Sequence, residues 1–250
     1  MPVVIVTGAS SGIGRATAVR FGKDGWTVVL AARRPAELSE TASLVEAAGG
    51  AAVIVPTDVR DPAALEALAE QAAAITGRID AVVNNAGVGG AASILTDDPA
   101  VTAMVEINLL APLRLMRAVV PRMRAQGGGA IVNIGSVAGE IGLSGTYSAT
   151  KFALRGLTDS VRREVAGTGI GVTLVEPGYI ATPLNAGRRG LPGPEVVADA
   201  VARAVRRPRR RIVVPAKYRA AILLANALPA VADRALAGRV APKESAPAPD

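Results

Sequence analysis

The chain has 250 residues, half of them apolar, with a net charge of +7 and a sequence pI near 10.5. It contains neither cysteine nor histidine, which excludes disulfides, zinc centres built on thiolate or imidazole, and any mechanism that needs a catalytic Cys or His. Acid–base work therefore falls to Tyr, Lys, Asp or Glu. The basic balance suits an anionic ligand. Nucleic acid is not expected as a partner: the densest basic run, Arg206-Arg207-Pro208-Arg209-Arg210-Arg211, has no aromatic residue beside it for base stacking. Met1-Pro2-Val3-Val4-Ile5-Val6 runs into a Gly-rich turn without a basic leader or a small-residue cleavage site. No apolar run approaches the ~18 residues of a membrane span. A soluble, cytoplasmic protein is expected.

Apolar, β-branched runs alternate with Ala-rich amphipathic stretches. Strands are predicted at Val3–Thr7, Thr27–Ala31, Ala52–Pro56, Asp80–Asn84, Ala130–Ile134, Gly171–Glu176 and Arg211–Val214, and helices at Ile13–Asp24, Ala36–Ala48, Pro62–Thr76, Pro99–Ala125, Thr146–Ala166 and Pro194–Arg206. A strand as uniformly apolar as Val3-Val4-Ile5-Val6 belongs to a sheet covered on both faces. The strand–helix repetition predicts an α/β fold, a Rossmann-like, doubly wound parallel sheet of about seven strands in a single domain over 1–238. Residues 216–238 form an apolar helical pattern broken at Pro229, read as core or dimer packing ahead of a substrate flap or a lipid-touching helix. The stretch 239–250 reads as a disordered tail.

The first strand ends in Thr7-Gly8-Ala9-Ser10-Ser11-Gly12-Ile13-Gly14 and leads into a helix. Glycines at 8, 12 and 14 permit a tight turn and a close backbone approach to a pyrophosphate, and the helix start offers free N–H groups to it. The second strand ends Ala31-Ala32-Arg33-Arg34, where an NAD-preferring fold places an acid for the ribose 2′-OH. A guanidinium suits a 2′-phosphate instead, so NADP(H) is expected over NAD(H), with Arg33 as the reader and Arg34 as helper. Two further strand ends, Thr57-Asp58-Val59 and Asn84-Asn85-Ala86-Gly87, face the same groove. Asp58 is positioned to accept from an adenine amino group, while Asp61 fits the helix cap. Asn84 and Asn85 read as backbone braces.

Tyr147 and Lys151 stand one helical turn apart and share a face. A free phenol has a pKa of about 10, and a neighbouring ammonium is expected to lower it toward the working range. Upstream, Ile134-Gly135-Ser136 delivers a hydroxyl at a strand end, placed to share a substrate oxygen with Tyr147. Downstream, Glu176-Pro177-Gly178-Tyr179-Ile180-Ala181-Thr182 ends the sixth strand beside the expected nicotinamide.

Glycines 8, 12 and 14, the Asn84–Gly87 run, Ser136, Tyr147 with Lys151, and Pro177-Gly178 occur in the order seen in the short-chain dehydrogenase/reductase family, which the chain resembles over residues 3–205. The resemblance implies that Tyr147 is the acid/base, that Lys151 also bonds the nicotinamide ribose and that Ser136 orients substrate. It further implies that Asn108, otherwise an ordinary mid-helix polar residue, holds a water in the proton relay, and that Ile180 and Thr182 contact the carboxamide. A homodimer or homotetramer is implied too, through the helix bearing Leu109, Leu110, Leu113, Met116 and Val120. The sequence departs from the family in a short Gly178–Pro194 connection and in Ile212-Val213-Val214-Pro215 where a Val-Asp-Gly-Gly ending is usual. The short connection is read as offering no carboxylate-binding Arg, and a fairly apolar ketone or secondary alcohol is expected as substrate. The alternative is a non-catalytic NADP(H)-binding sensor or scaffold on the same fold.

Overall fold

The structure is a computed structural model and describes residues 1–89, 93 and 95–237. Seven parallel strands, β1 (Val3–Thr7), β2 (Thr27–Ala32), β3 (Ala51–Pro56), β4 (Ala81–Asn84), β5 (Gly129–Ile134), β6 (Ile170–Pro177) and β7 (Arg211–Val214), form one sheet in the order β3-β2-β1-β4-β5-β6-β7. Successive side chains of β1 point to opposite faces. Val4 and Val6 pack with Phe21 of α1 (Gly12–Lys23), Leu38 of α2 (Pro35–Ala47) and Val197 of α7 (Glu195–Arg206). Val3 and Ile5 pack with Leu65 of α3 (Pro62–Thr76) and Leu115 of α5 (Ala111–Ala125). The remaining large helix, α6 (Gly145–Glu164), packs Leu157 and Val161 against the same cluster. The strand order reverses between β1 and β4, and the crevice at their carboxyl ends is where such a sheet binds ligands.

Asp61 caps α3, its side chain accepting from the Ala63 N–H at 2.9 Å. The helix predicted as continuous over Pro99–Ala125 is broken into α4 (Asp98–Val105), a π-helical turn at Glu106–Leu110 and α5. Pro112 supplies the physical reason: it has no N–H for the Asn108 carbonyl four residues back, so the ladder there is rerouted. Met116, expected on an oligomer face, is buried in the core, with its sulfur 3.6 Å from the Asn133 amide nitrogen. Leu109, Leu110, Leu113 and Val120 remain half-buried.

Residues 216–237 form α8 (Tyr218–Ala227) and α9 (Pro229–Leu236), parted at Pro229 as the sequence predicts. The expectation of core packing does not hold for most of this segment. Ile222 is buried, but Leu223, Leu224, Leu228 and Val231 are exposed. No helix among the described residues is long and apolar enough to cross a membrane. The tail expected at 239–250 lies outside the described residues.

Candidate active site

The turn between β1 and α1 is built by backbone that other residues would not tolerate. Gly8 has φ +66°, and a Cβ there would lie 2.9 Å from the Ala86 Cα. A Cβ on Gly14 would sit 2.1 Å from the Gly8 carbonyl oxygen. Ser11 stands at the N-cap of α1 without a side-chain capping bond, which leaves the first-turn N–H groups to an anion. Asn85 braces the turn by donating to the Thr7 and Gly8 carbonyls at 2.8 and 3.2 Å, and the Thr7 hydroxyl accepts from the Asn85 and Ala86 N–H groups, each at 3.0 Å. Asn84 is buried and donates to Asn133 at 2.8 Å. Both asparagines are braces, as the sequence suggested.

A groove of about 810 Å³ runs from this turn along the sheet edge. Gly8, Ser10, Ser11, Gly12 and Ile13 line its centre. Arg33, Arg34, Asp58 and Val59 line one end. Arg34 is engaged there, pairing with Glu37 at 2.8 Å and donating to the Ser10 hydroxyl at 3.2 Å. Arg33 has no carboxylate pair among the described residues. The Arg60 guanidinium beside Asp58 holds its carboxyl down at about 2. Asp58 is thus a carboxylate acceptor at neutral pH, and its Arg60 contacts are the part the sequence did not foresee.

The other end of the groove collects Ala86, Gly87, Ser136, Tyr147, Lys151, Pro177, Gly178, Ile180 and Thr182. Lys151 is 5% exposed, donates to the Ile134 carbonyl at 3.0 Å, and holds its Nζ 5.8 Å from the centre of the Tyr147 ring. The helical spacing therefore brings the two groups together as expected. The electrostatics differ from expectation. Burial pushes the Tyr147 phenol above its ordinary value, and the neighbouring Ser136 hydroxyl pulls the other way. Burial also lowers the Lys151 ammonium to about 8. Removing both groups from water disfavours their charged forms more than their mutual proximity compensates. At neutral pH the phenol carries its proton.

Asn108 is fully buried and does not line the groove. Its Oδ1 accepts from the Val88 N–H at 2.9 Å, and its Nδ2 donates to the Val88 carbonyl at 2.9 Å and the Thr150 hydroxyl at 3.1 Å. The side chain is committed to the strand-end loop at Val88 and to α6 at Thr150, just behind groove-lining Gly87. Any water held here falls to its backbone carbonyl, which Pro112 deprives of the ordinary helical donor. Pro112, four positions on, was the legible signal.

The short connection after β6 forms the upper wall. Ile180 is buried, and Thr182 reaches the phosphate turn, its Cγ2 standing 3.2 Å from where a Gly12 Cβ would be. Tyr179 also lines the groove, and the Arg188 guanidinium lies 4.0 Å from the centre of its ring. Sequence reasoning missed Tyr179, Leu184 and Arg188. Arg188 of this connection lines the groove, turned inward by cation–π stacking on Tyr179. Nothing in its local sequence announces that orientation. The basic run does not line the groove, and three of its arginines are paired: Arg206 with Asp24, Arg210 with Asp159, and Arg211 with both Glu140 and Asp159.

A glycine-cradled nucleotide groove, ending at a half-buried phenol and a buried lysine beside a serine hydroxyl, defines a dinucleotide-fold oxidoreductase that transfers hydride at a CH–OH carbon. Comparison with known proteins agrees. The short chain dehydrogenase family profile matches residues 2–190, and the chain belongs to that family. It is 37% identical to the ketoacyl reductase HetN of Nostoc sp. over 84% of this chain and 77% of HetN. It is 38% identical to SH0585 of Staphylococcus haemolyticus, an uncharacterised oxidoreductase, over 82% of this chain and 91% of that protein. A crystal structure of the short-chain alcohol dehydrogenase class, from Sinorhizobium meliloti 1021, superposes with a TM-score of 0.81 at 30% identity, covering 88% of this chain and 96% of the other. The family uses NAD(P)(H) and acts on small molecules, and the uncapped start of α1 leaves N–H groups that fit such a nucleotide's phosphates.

Proposed function

We propose that the protein is an NADPH-dependent carbonyl reductase acting on ketones with an apolar body, ketoacyl compounds among them. The observation that carries this reading is the meeting of Ser136, Tyr147 and the buried Lys151 in one groove, with the Lys151 Nζ 5.8 Å from the centre of the Tyr147 ring. When bound, the reduced nicotinamide supplies the hydride. Ser136 donates to the substrate oxygen and fixes the carbonyl carbon toward that donor. The C=O π bond opens, and Tyr147 gives its proton to the oxygen, so that carbonyl, hydride and proton sum to an alcohol. Lys151, held by the Ile134 carbonyl, supplies the positive charge that the resulting phenolate faces and is in place for the nicotinamide ribose. Asn108 serves as a positioning residue beneath α6 rather than as a catalytic one.

Val88, Val137, Leu143 and Leu184 form the wall beyond Tyr147 and support an apolar substrate body, with Arg188 giving the rim one cation. The name of HetN supports placing ketoacyl esters and thioesters first in a panel. A panel of ketones incubated with NADPH and followed at the nicotinamide absorbance tests the reading. Oxidation of NADPH with ketones of this class supports it, and none across the panel overturns it.

Arg33 supports the NADP preference, since it is exposed, lines the groove and has no carboxylate pair among the described residues. Arg33→Asp is expected to reduce the NADPH-over-NADH preference by roughly tenfold or more, the worth of a charge-assisted hydrogen bond of about 1.5–3 kcal/mol. An unchanged ratio of kcat/KM for the two cofactors removes Arg33 from the assignment.

A further inference from the structure

Glu176 is 1% exposed on β6, and neither carboxyl oxygen has a conventional hydrogen-bond partner among the described residues. Three arginines stand in this cluster, yet none pairs with Glu176. Arg155 of α6 and Arg211 of β7 both bind Glu140, at 2.8 and 3.0 Å. Arg210 and Arg211 bind Asp159, at 2.7 and 3.0 Å. A buried, unpaired carboxylate costs far more than a neutral carboxylic acid, so the group takes up a proton instead. Glu140, itself 7% exposed, is brought to the same sheet edge by Arg211, whose side chain shares a face of the β6–β7 pair with Glu176. Two facing carboxyls with no donor between them explain the orphaned oxygens once one of the two carries a hydrogen.

The pair sits where three walls of the active site meet. Glu140 follows Ser136 by one short 3₁₀ turn, and Arg155 follows Lys151 by one turn of α6. Glu176 directly precedes Pro177-Gly178, and its Cγ lies 3.3 Å from where a Cβ on Gly135 would stand. Asn226 of α8 donates to the Glu140 carbonyl at 3.4 Å.

We propose that Glu176 is a positioning residue: as a neutral acid it donates a hydrogen bond to Glu140 and so fastens the Ser136 loop to the end of β6 and to α6. Burial and the Glu140 carboxylate push Glu176 well above the usual carboxylate range, against the weaker pull of Arg211 and Arg155. Raising the pH removes the shared proton and turns the contact into a repulsion between two carboxylates. The Ser136 loop then loosens and turnover falls, while cofactor affinity stays.

Infrared spectroscopy of the full chain tests this without reference to turnover, so a failure of the carbonyl-reductase reading leaves it standing and the converse also holds. At neutral pH the wild type is expected to show a protonated-carboxyl C=O band that fades in the alkaline range and is absent from Glu176→Gln. No such band in the wild type, or its persistence in the variant, overturns the proposal. Glu176→Gln keeps a donor and is expected to hold neutral-pH kcat within about threefold with a weakened alkaline decline, whereas Glu176→Ala loses about tenfold in kcat at unchanged cofactor affinity. Equal losses in the two variants overturn it. Should Glu176→Gln fail to fold, Glu140→Gln provides the second reading. There Glu176 faces only arginines and ionises, so the neutral-pH band disappears; a band that remains overturns the proposal.

Discussion

Tyr147→Phe is expected to lower kcat by about 10²–10⁴-fold, the usual worth of a positioned general acid, while NADPH binds within about threefold of wild type. The substitution removes one oxygen and keeps the ring that fills the half-buried site between Ser136 and Lys151. Folding is therefore undisturbed, and the loss lies in proton transfer alone. Ser136 cannot replace the phenol at neutral pH, because an alkoxide is too poor a product of proton donation in a buried site. Losing the interaction made in the transition state lowers kcat and kcat/KM together and leaves ground-state binding intact. Steady-state rates with an active ketone, paired with titration of nicotinamide fluorescence, measure both quantities. Full activity in this variant overturns the role of Tyr147, and lost cofactor binding means that the ring, rather than its hydroxyl, is what the site needs.

Lys151→Met is expected to abolish turnover to a similar degree and at the same time to leave the fold equally or more stable at neutral pH. Both outcomes come from burial. The ammonium is 5% exposed and its pKa falls from 10.5 to about 8. A lysine whose folded-state pKa is depressed binds fewer protons folded than unfolded between those two values. Stability therefore rises with pH across that window, and below about 8 the folded state bears the full penalty. At about 1.4 kcal/mol per pH unit the penalty amounts to roughly 3 kcal/mol, partly offset by the hydrogen bond to Ile134. Methionine fills the same volume without charge. Thermal unfolding from neutral to strongly alkaline pH should show the rise in wild type and lack it in Lys151→Met. A charge kept buried against its own solvation is consistent with a role in chemistry, since an apolar residue would serve packing better. A variant with wild-type turnover, or one with the same alkaline rise, contradicts this account.

The two substitutions separate what the phenol does from what the ammonium does. The sequence spacing suggested that the lysine lowers the phenol's pKa, but among the protein groups burial is the larger effect and acts the other way on Tyr147. The reductive direction needs this arrangement, a phenol that arrives protonated. A positive nicotinamide would be the additional charge that favours the phenolate for alcohol oxidation.

Reading the strands was straightforward because Val3–Val6 and Val28–Ala32 are apolar throughout, the pattern of a sheet covered on both faces. The phosphate turn and the Tyr147–Lys151 pair were equally legible, since turn chemistry and helical spacing act over a few residues. The break at Glu106–Leu110 was harder, although its cause, Pro112, lies in plain view. Periodicity averages over a helix and passes through one displaced hydrogen bond.

Local sequence determined the order of the elements, the glycine-cradled nucleotide turn and the one-turn separation of the reactive pair, because each depends on backbone sterics and short-range geometry. Tertiary structure alone decided the environment of those groups: how deeply Lys151 is buried, that the Asn108 side chain braces Val88 and Thr150, that Arg188 folds onto Tyr179, and that Glu176 is buried with no hydrogen-bond partner among the described residues. Solvation and charge are set by whatever packs around a group from every side, and those neighbours come from distant parts of the chain.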